Sequence, residues 1–245
     1  MVVDARHNES KSETLLNVKD LVIGYNNLPI LVLESLTLSS SEIVSIVGAS
    51  GVGKSSLLNC LSGKLNPISG NYKLKTAGRH GRHVDISQTL QAFPLLHWLT
   101  VRENLRLSAK IKKVKVENFD EVLSNFSALD FADRYPDTLS GGERCRASIS
   151  QALIGDPSLL LLDEPFSGLD IIVKEAIAKK VRMWANNSKA SVLFVTHDIH
   201  DAIEFSDKII VIGRANPAEI IRSIDTSDDN VFEKVKNALV HGSAL

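Results

Sequence analysis

The chain has 245 residues, 44% of them apolar and 23% charged, and its 28 Lys and Arg against 29 Asp and Glu leave a formal net charge of −1. Those proportions exclude a collagen-like, low-complexity or wholly disordered chain. The charge balance argues against a protein that coats nucleic acid or a membrane by charge alone.

Residues 1–13 read as a polar tail, and Met1 to His7 lacks the basic-then-apolar order of a signal peptide. Short apolar runs at Leu21–Ile23, Ile30–Leu33 and Leu36–Leu38 predict strands split by turn residues, among them Asn26, Asn27 and Pro29. Glu42 to Val47 has the composition of a fully buried strand. A glycine-rich turn follows it, and Ser55 to Leu65 then has helical apolar spacing. Gly70 to Val84 is basic and turn-rich, and most of the chain between Pro94 and Pro157 reads as helix. Aliphatic strands are predicted at Leu159–Leu162, Ser191–Thr196 and Lys208–Ile212. Strands alternating with helices predict an α/β protein with a mostly parallel sheet. At the end, Val231, Phe232, Val235, Ala238 and Leu239 share one face of a helix within residues 226–245.

No apolar run approaches the ~18 residues needed to span a bilayer. Cys60 and Cys145 are far apart, which argues against a disulfide scaffold or a thiolate zinc site and for a reducing cytoplasm.

Gly48-Ala49-Ser50-Gly51-Val52-Gly53-Lys54-Ser55 follows a predicted strand and opens a predicted helix. Glycines let successive N–H groups turn inward onto phosphate oxygens, and the helix N-terminus favours the anion. Lys54 supplies a cation for the β and γ phosphates, Ser55 a hydroxyl for Mg²⁺, and Ser56 continues the same helix start. Leu159-Leu160-Leu161-Leu162-Asp163-Glu164 brings two carboxylates to the end of an aliphatic strand, the edge at which open α/β sheets bind ligands. There Asp163 is expected to hold Mg²⁺ and Glu164 to act as general base on a water.

Leu139-Ser140-Gly141-Gly142-Glu143, taken with those two motifs, makes the chain resemble an ABC-type ATPase from about Leu15 to Gly213. Ser140 and Glu143 also have the spacing of a helix capping box. The resemblance implies a P-loop NTPase fold with a RecA-like core, an N-terminal antiparallel β subdomain and an inserted α-helical signature subdomain. It divides the chain into the tail, a cassette over residues 14–225 with the helical insertion at about 93–156, and the terminal helix. It implies ATP and Mg²⁺ as ligands, with Tyr25 stacking on adenine. It makes Gln91 the glutamine that touches Mg²⁺ and the attacking water, with Gln88 as a competitor. It also places Asp170, in Ser167-Gly168-Leu169-Asp170, in a loop crossing a dimer interface, and His197 against the γ-phosphate. Two copies are implied, head to tail, with Ser140, Gly141 and Gly142 of one closing on the ATP held by the other.

The region from Gln91 to Leu105, with Leu95-Leu96-His97-Trp98-Leu99-Thr100-Val101-Arg102-Glu103-Asn104-Leu105, is similar to importer ATPases of the nitrate, sulfonate and taurine type. That likeness implies separate transmembrane permease subunits, a substrate-binding protein, a peripheral position on the inner face of the membrane, and no nucleic-acid partner. The alternative is a soluble ABC-type ATPase of an iron–sulfur assembly or nucleic-acid maintenance complex. Cys145, Gln151 and His97 depart from the residues common at their positions, and residues 85–92 lack an aromatic before the glutamine. Trp98 is read either as a core aromatic or as part of a docking surface. The basic groups Lys73, Lys75, Arg79, His80, Arg82, His83 and Lys110, Lys112, Lys113, Lys115 are read as solvated faces, or as contacts to lipid or permease.

Overall fold

A computed structural model describes residues 13–75, 86–89 and 95–241. Strands β1 (Thr14–Tyr25) and β2 (Leu28–Ser39) form an antiparallel hairpin. Asn26 and Asn27 make its turn at φ 53° and 63°, the left-handed region that asparagine tolerates best after glycine. The short apolar runs read separately in the sequence are therefore parts of two long strands. β4 (Ser69–Leu74) pairs antiparallel with β1, where the sequence suggested only a basic, turn-rich stretch.

β3 (Ile43–Gly48), β5 (Ile86–Thr89), β6 (Leu159–Asp163), β7 (Ser191–Thr196) and β8 (Lys208–Ile212) run parallel. β9 (Ala218–Asp225) is parallel to β2 and antiparallel to β8, and joins the two halves into one nine-stranded sheet of order β4-β1-β2-β9-β8-β3-β7-β6-β5. β3, β6 and β7 are buried at every position, as their near-continuous Val, Ile and Leu content requires of strands covered on both faces.

Helix α1 (Lys54–Leu61) follows β3 and buries Leu57, Leu58 and Leu61 against one face of the sheet. Between β5 and β6 lie α2 (Val101–Ile111), α3 (Phe119–Asn125) and α4 (Gly141–Ala152). They share a small core of their own that includes Val101, Leu105, Leu123, Phe131 and Ala147. Both α2 and α4 start at capping boxes, Thr100–Glu103 and Ser140–Glu143. Helix α5 (Ile171–Ser188) packs on the opposite face with Phe166, Phe194 and Phe205, and α6 (Ile199–Phe205) follows β7. Helix α7 (Val231–His241) covers β8 and β9 with Val231, Val235 and Ala238, while Phe232 turns outward against the His200 ring.

Parallel register decides where chemistry is possible. β7 lies between β3 and β6, with Val47 opposite Thr196 and Asp163 opposite Val195. The loop after Val47, the residues after Asp163 and those after Thr196 therefore leave the sheet at one level of its carboxyl edge.

Candidate active site: a nucleotide cleft

The loop from Gly48 to Gly53 links β3 to α1. A Cβ on Gly48 would fall 2.9 Å from the carbonyl oxygen of Ile212, and Gly53 sits at φ 95°, so neither position accepts a larger residue without strain. Lys54 is buried, and its Nζ donates to the carbonyls of Gly48 (2.8 Å) and Ala49 (2.9 Å), folding the cation back over the loop. Burial pushes its pKa down, and the carboxylates of Glu164 and Asp163 push it back up. The Ser55 hydroxyl donates to Asp163 Oδ1 at 3.2 Å. Asp163 has a raised pKa, first from burial and then, against the Ser55 hydrogen bond, from the neighbouring Glu164 charge.

Glu164 is held at φ 50°, a left-handed conformation uncommon for a non-glycine residue, while its N–H donates to the Val195 carbonyl at 3.1 Å. Its carboxylate meets Nδ1 of His197, 3.0 Å from both oxygens. The His197 side chain is 67% exposed, against 11% for Glu164, so the imidazole forms the solvent side of the pair. With Nδ1 donating to the carboxylate, Nε2 remains for a second partner.

Tyr25, Ile30, Ser50, Gly51, Gly53, Lys54, Ser55, Ser56, Asp163 and Glu164 line a cleft of about 350 Å³, a size suited to a small-molecule ligand. Tyr25 stands at its rim, half-exposed, with its hydroxyl 3.3 Å from Ser56 Oγ. Ala49 and Val52 lie under the loop: Val52 is buried in the main core and Ala49 packs against it. Ile30 is a lining residue that no sequence motif announces.

Ser140, Gly141, Gly142 and Asp170 are not in this cleft. They line a second cavity of about 290 Å³ between the start of α4 and the start of α5. Ser140 Oγ accepts from the Glu143 N–H at 3.2 Å, and Glu143 accepts from the Ser140 N–H at 2.7 Å. A Cβ on Gly142 would lie 2.8 Å from Val173 Cγ1, so the glycine lets the two helix starts approach. Asp170 caps α5 by accepting from the Val173 N–H.

Gln91 lies outside the described residues, as do Arg79, His80, Arg82 and His83. Gln88 is described and is turned away from the cleft. Its Oε1 accepts from Ser62 Oγ at 2.7 Å, and its Nε2 donates to Asn59 Oδ1 at 3.1 Å, both on the far end of α1. Trp98 is 60% exposed and stacks edge-on with His97, so it is not a core aromatic. Lys112 departs from the solvated face expected of its lysine run. It is half-buried and donates to Ser87 Oγ and to the carbonyls of Ala152 and Ile154. Cys145 is buried with its thiol directed at the Pro165 carbonyl, and Cys60 is buried in the main core.

Among the described residues no three His, Cys, Asp or Glu side chains converge as a metal site. The donor set at Ser55 and Asp163, one hydroxyl beside one carboxylate, nonetheless fits a hard divalent cation that takes its other ligands from phosphate and water. No helix among the described residues is long and apolar enough to cross a membrane.

A glycine loop at the carboxyl edge of a parallel sheet, with a lysine and a serine opening a helix and a carboxylate pair at the end of β6, two strands from β3 across β7, defines a P-loop nucleotide-binding protein. The family described as ABC transporter matches residues 34–167, and the chain belongs to it as an ATP-binding cassette. The aliphatic sulfonates import ATP-binding protein SsuB of Zymomonas mobilis is 34% identical over 179 residues, covering 73% of this chain and 74% of that protein. The sulfate/thiosulfate import ATP-binding protein CysA of Halalkalibacterium halodurans is 31% identical over 84% of this chain, which spans only 60% of that relative's length. Among solved structures, the dimeric post-hydrolysis state of the ATP-binding cassette MJ0796 with ADP and Pi superposes at a TM-score of 0.70. It is 27% identical, over 87% of this chain and 100% of that one. The fold is accordingly that of a P-loop NTPase with a RecA-like core, an N-terminal antiparallel β subdomain and an inserted helical subdomain.

Proposed function

We propose that this chain is the ATP-hydrolysing subunit of an importer, acting as a head-to-tail pair on transmembrane permease subunits. The observation that carries the reading is the separation of its two half-sites. The phosphate-loop cleft and the Ser140–Gly142 cavity are different cavities of one chain. A helix start with glycines at its first two positions offers free N–H groups to a phosphate, and a second copy would bring them to the nucleotide of the first.

In this reading the Gly48–Ser56 loop and Lys54 bind the phosphates, and Tyr25 takes the adenine by stacking. Ser55, Asp163 and Gln91 would hold Mg²⁺, which when bound offsets the phosphate charge. Glu164 accepts a proton from the attacking water, and His197, tied to Glu164 through Nδ1, offers Nε2 to the γ-phosphate. Asp170 and its loop would face the second copy. ATP joins the two copies by bridging anion-binding surfaces, and its hydrolysis releases them.

Support for import comes from the relatives named for sulfate/thiosulfate and aliphatic sulfonate import. Exposed Trp98 gives the helical insertion an aromatic surface suited to a permease segment. The cassette would sit at the inner face of the membrane through that contact, with a substrate-binding protein supplying the permease.

The test is Glu164→Gln expressed in the native host, solubilised gently with ATP present and separated by size. Recovery of an ATP-dependent two-cassette complex with a multi-span membrane protein supports the proposal. Recovery with soluble partners alone moves the assignment to a soluble assembly ATPase.

A further inference from the structure

We infer that Lys174 is a positioning residue for hydrolysis, tying the Ser167–Asp170 loop to His197 through Asp201. The inference rests on the reading of Glu164 and His197 given above.

Lys174 lies in the first turn of α5, four residues after the Asp170 cap, and its N–H donates to the Asp170 carbonyl at 3.0 Å. A lysine there opposes the helix dipole and needs compensation from elsewhere. It finds that in α6. Its Nζ donates to both oxygens of Asp201, at 2.7 and 2.9 Å, and lies 3.7 Å from Asp198 Oδ2. The Lys174 and Asp201 side chains are 15% and 7% exposed, so the pair is shielded from water and is not a loose surface contact.

Asp198 directly follows His197 and caps α6, accepting from the N–H groups of His200 and Asp201. Fixing Asp201 and Asp198 therefore fixes the backbone that carries the imidazole against Glu164. At the other end, Val173, the residue before Lys174, packs against Gly142 and lines the Ser140–Gly142 cavity together with Gly168, Leu169 and Asp170. Adjacent residues of one helical turn thus reach, on one side, the Ser140–Gly142 cavity and, on the other, the carboxylates of Asp201 and Asp198 that follow His197. A displacement of the 167–170 loop on assembly would reach His197 by this route.

The experiment compares Lys174→Met, Lys174→Arg, Asp201→Asn and the Met/Asn double variant with wild type, using Glu164→Gln as the reference. The readouts are ATP Kd, KM, kcat and Tm. Lys174→Met is expected to lower kcat about 10-fold or more while KM and Kd stay within about twofold, with Lys174→Arg recovering at least about half of kcat. The double variant should be no slower than either single one, as for two residues acting as a unit. The proposal is overturned if kcat of Lys174→Met stays within twofold of wild type. It is equally overturned if Kd and KM worsen in step with kcat, or if the Met and Asn effects add. If Lys174→Met does not fold, Asp201→Asn against Lys174→Arg carries the same comparison. Wild-type turnover by Glu164→Gln would instead sink the reading of the site, and so separates the two failures.

Discussion

Nδ1 of His197 and the carboxylate of Glu164 meet at 3.0 Å although they leave the sheet on different strands, β7 and β6. Apart from His197, no side chain among the described residues hydrogen-bonds the Glu164 carboxylate, so the imidazole sets where its oxygens point. His197→Ala is expected to lower the ATP hydrolysis rate about 10²-fold or more, the usual range for a group acting with a general base, and to change nucleotide affinity far less. Single-turnover hydrolysis with saturating ATP separates the two. A rate within a few-fold of wild type would remove His197 from the hydrolytic centre.

Lys54 Nζ donates to the Gly48 and Ala49 carbonyls. Its ammonium is buried beside Asp163 and Glu164, a cost that a bound polyphosphate offsets. Lys54→Ala should weaken nucleotide binding by about 1.5–3 kcal/mol, the worth of a charge-assisted hydrogen bond, or roughly ten- to a hundredfold in Kd. Titration with a fluorescent ATP analogue reads this directly, and an unchanged Kd would contradict the phosphate-loop assignment.

The legible parts of the molecule are those where backbone geometry restricts residue type. Gly48 and Gly53 are required by a close approach and a positive φ, and the run Leu159–Leu162 by burial on both faces, so motif and strand could be read directly. Strand β4 was not legible. It is an edge strand whose Gly70 and Asn71 read as a turn, and only its pairing with β1 makes it extended. Lys112 is not legible for a related reason: within a run of lysines nothing local marks the one that folds back onto the end of α4. Lys174 and Asp201 carry no motif, and their pairing exists only because α5 and α6 pack together.

Ser55 and Asp163 make a two-ligand corner in which the hydroxyl donates to the carboxylate. Asp163→Asn keeps an acceptor for Ser55 and removes the charge. ATP binding without divalent cation should then be nearly unchanged, while the Mg²⁺ concentration for half-maximal hydrolysis rises about 10-fold or more, since hard cations depend on carboxylate ligands. Hydrolysis titrated with Mg²⁺ after chelation gives the shift, and coincident curves for the two proteins would exclude Asp163 as a cation ligand.

Lys112 offers a pH test of how firmly the helical insertion is fastened to the sheet edge. It ends α2 and reaches Ser87 on β5 and the carbonyls of Ala152 and Ile154 at the end of α4, with no carboxylate beside it among the described residues. Burial lowers its pKa from 10.5 to about 8. Below pH 8 the folded and unfolded chains both carry the charge, and the cost of burying it is present in full. Between pH 8 and 10.5 the unfolded chain binds more protons than the folded one, so stability rises with pH and that cost is relieved. Lys112→Met does not titrate, so wild type should gain on it across this window by up to about 3 kcal/mol. Urea unfolding of both proteins at the two ends of the window measures the difference. Parallel behaviour would mean that the Lys112 ammonium stays solvated and does not pin α2 to β5.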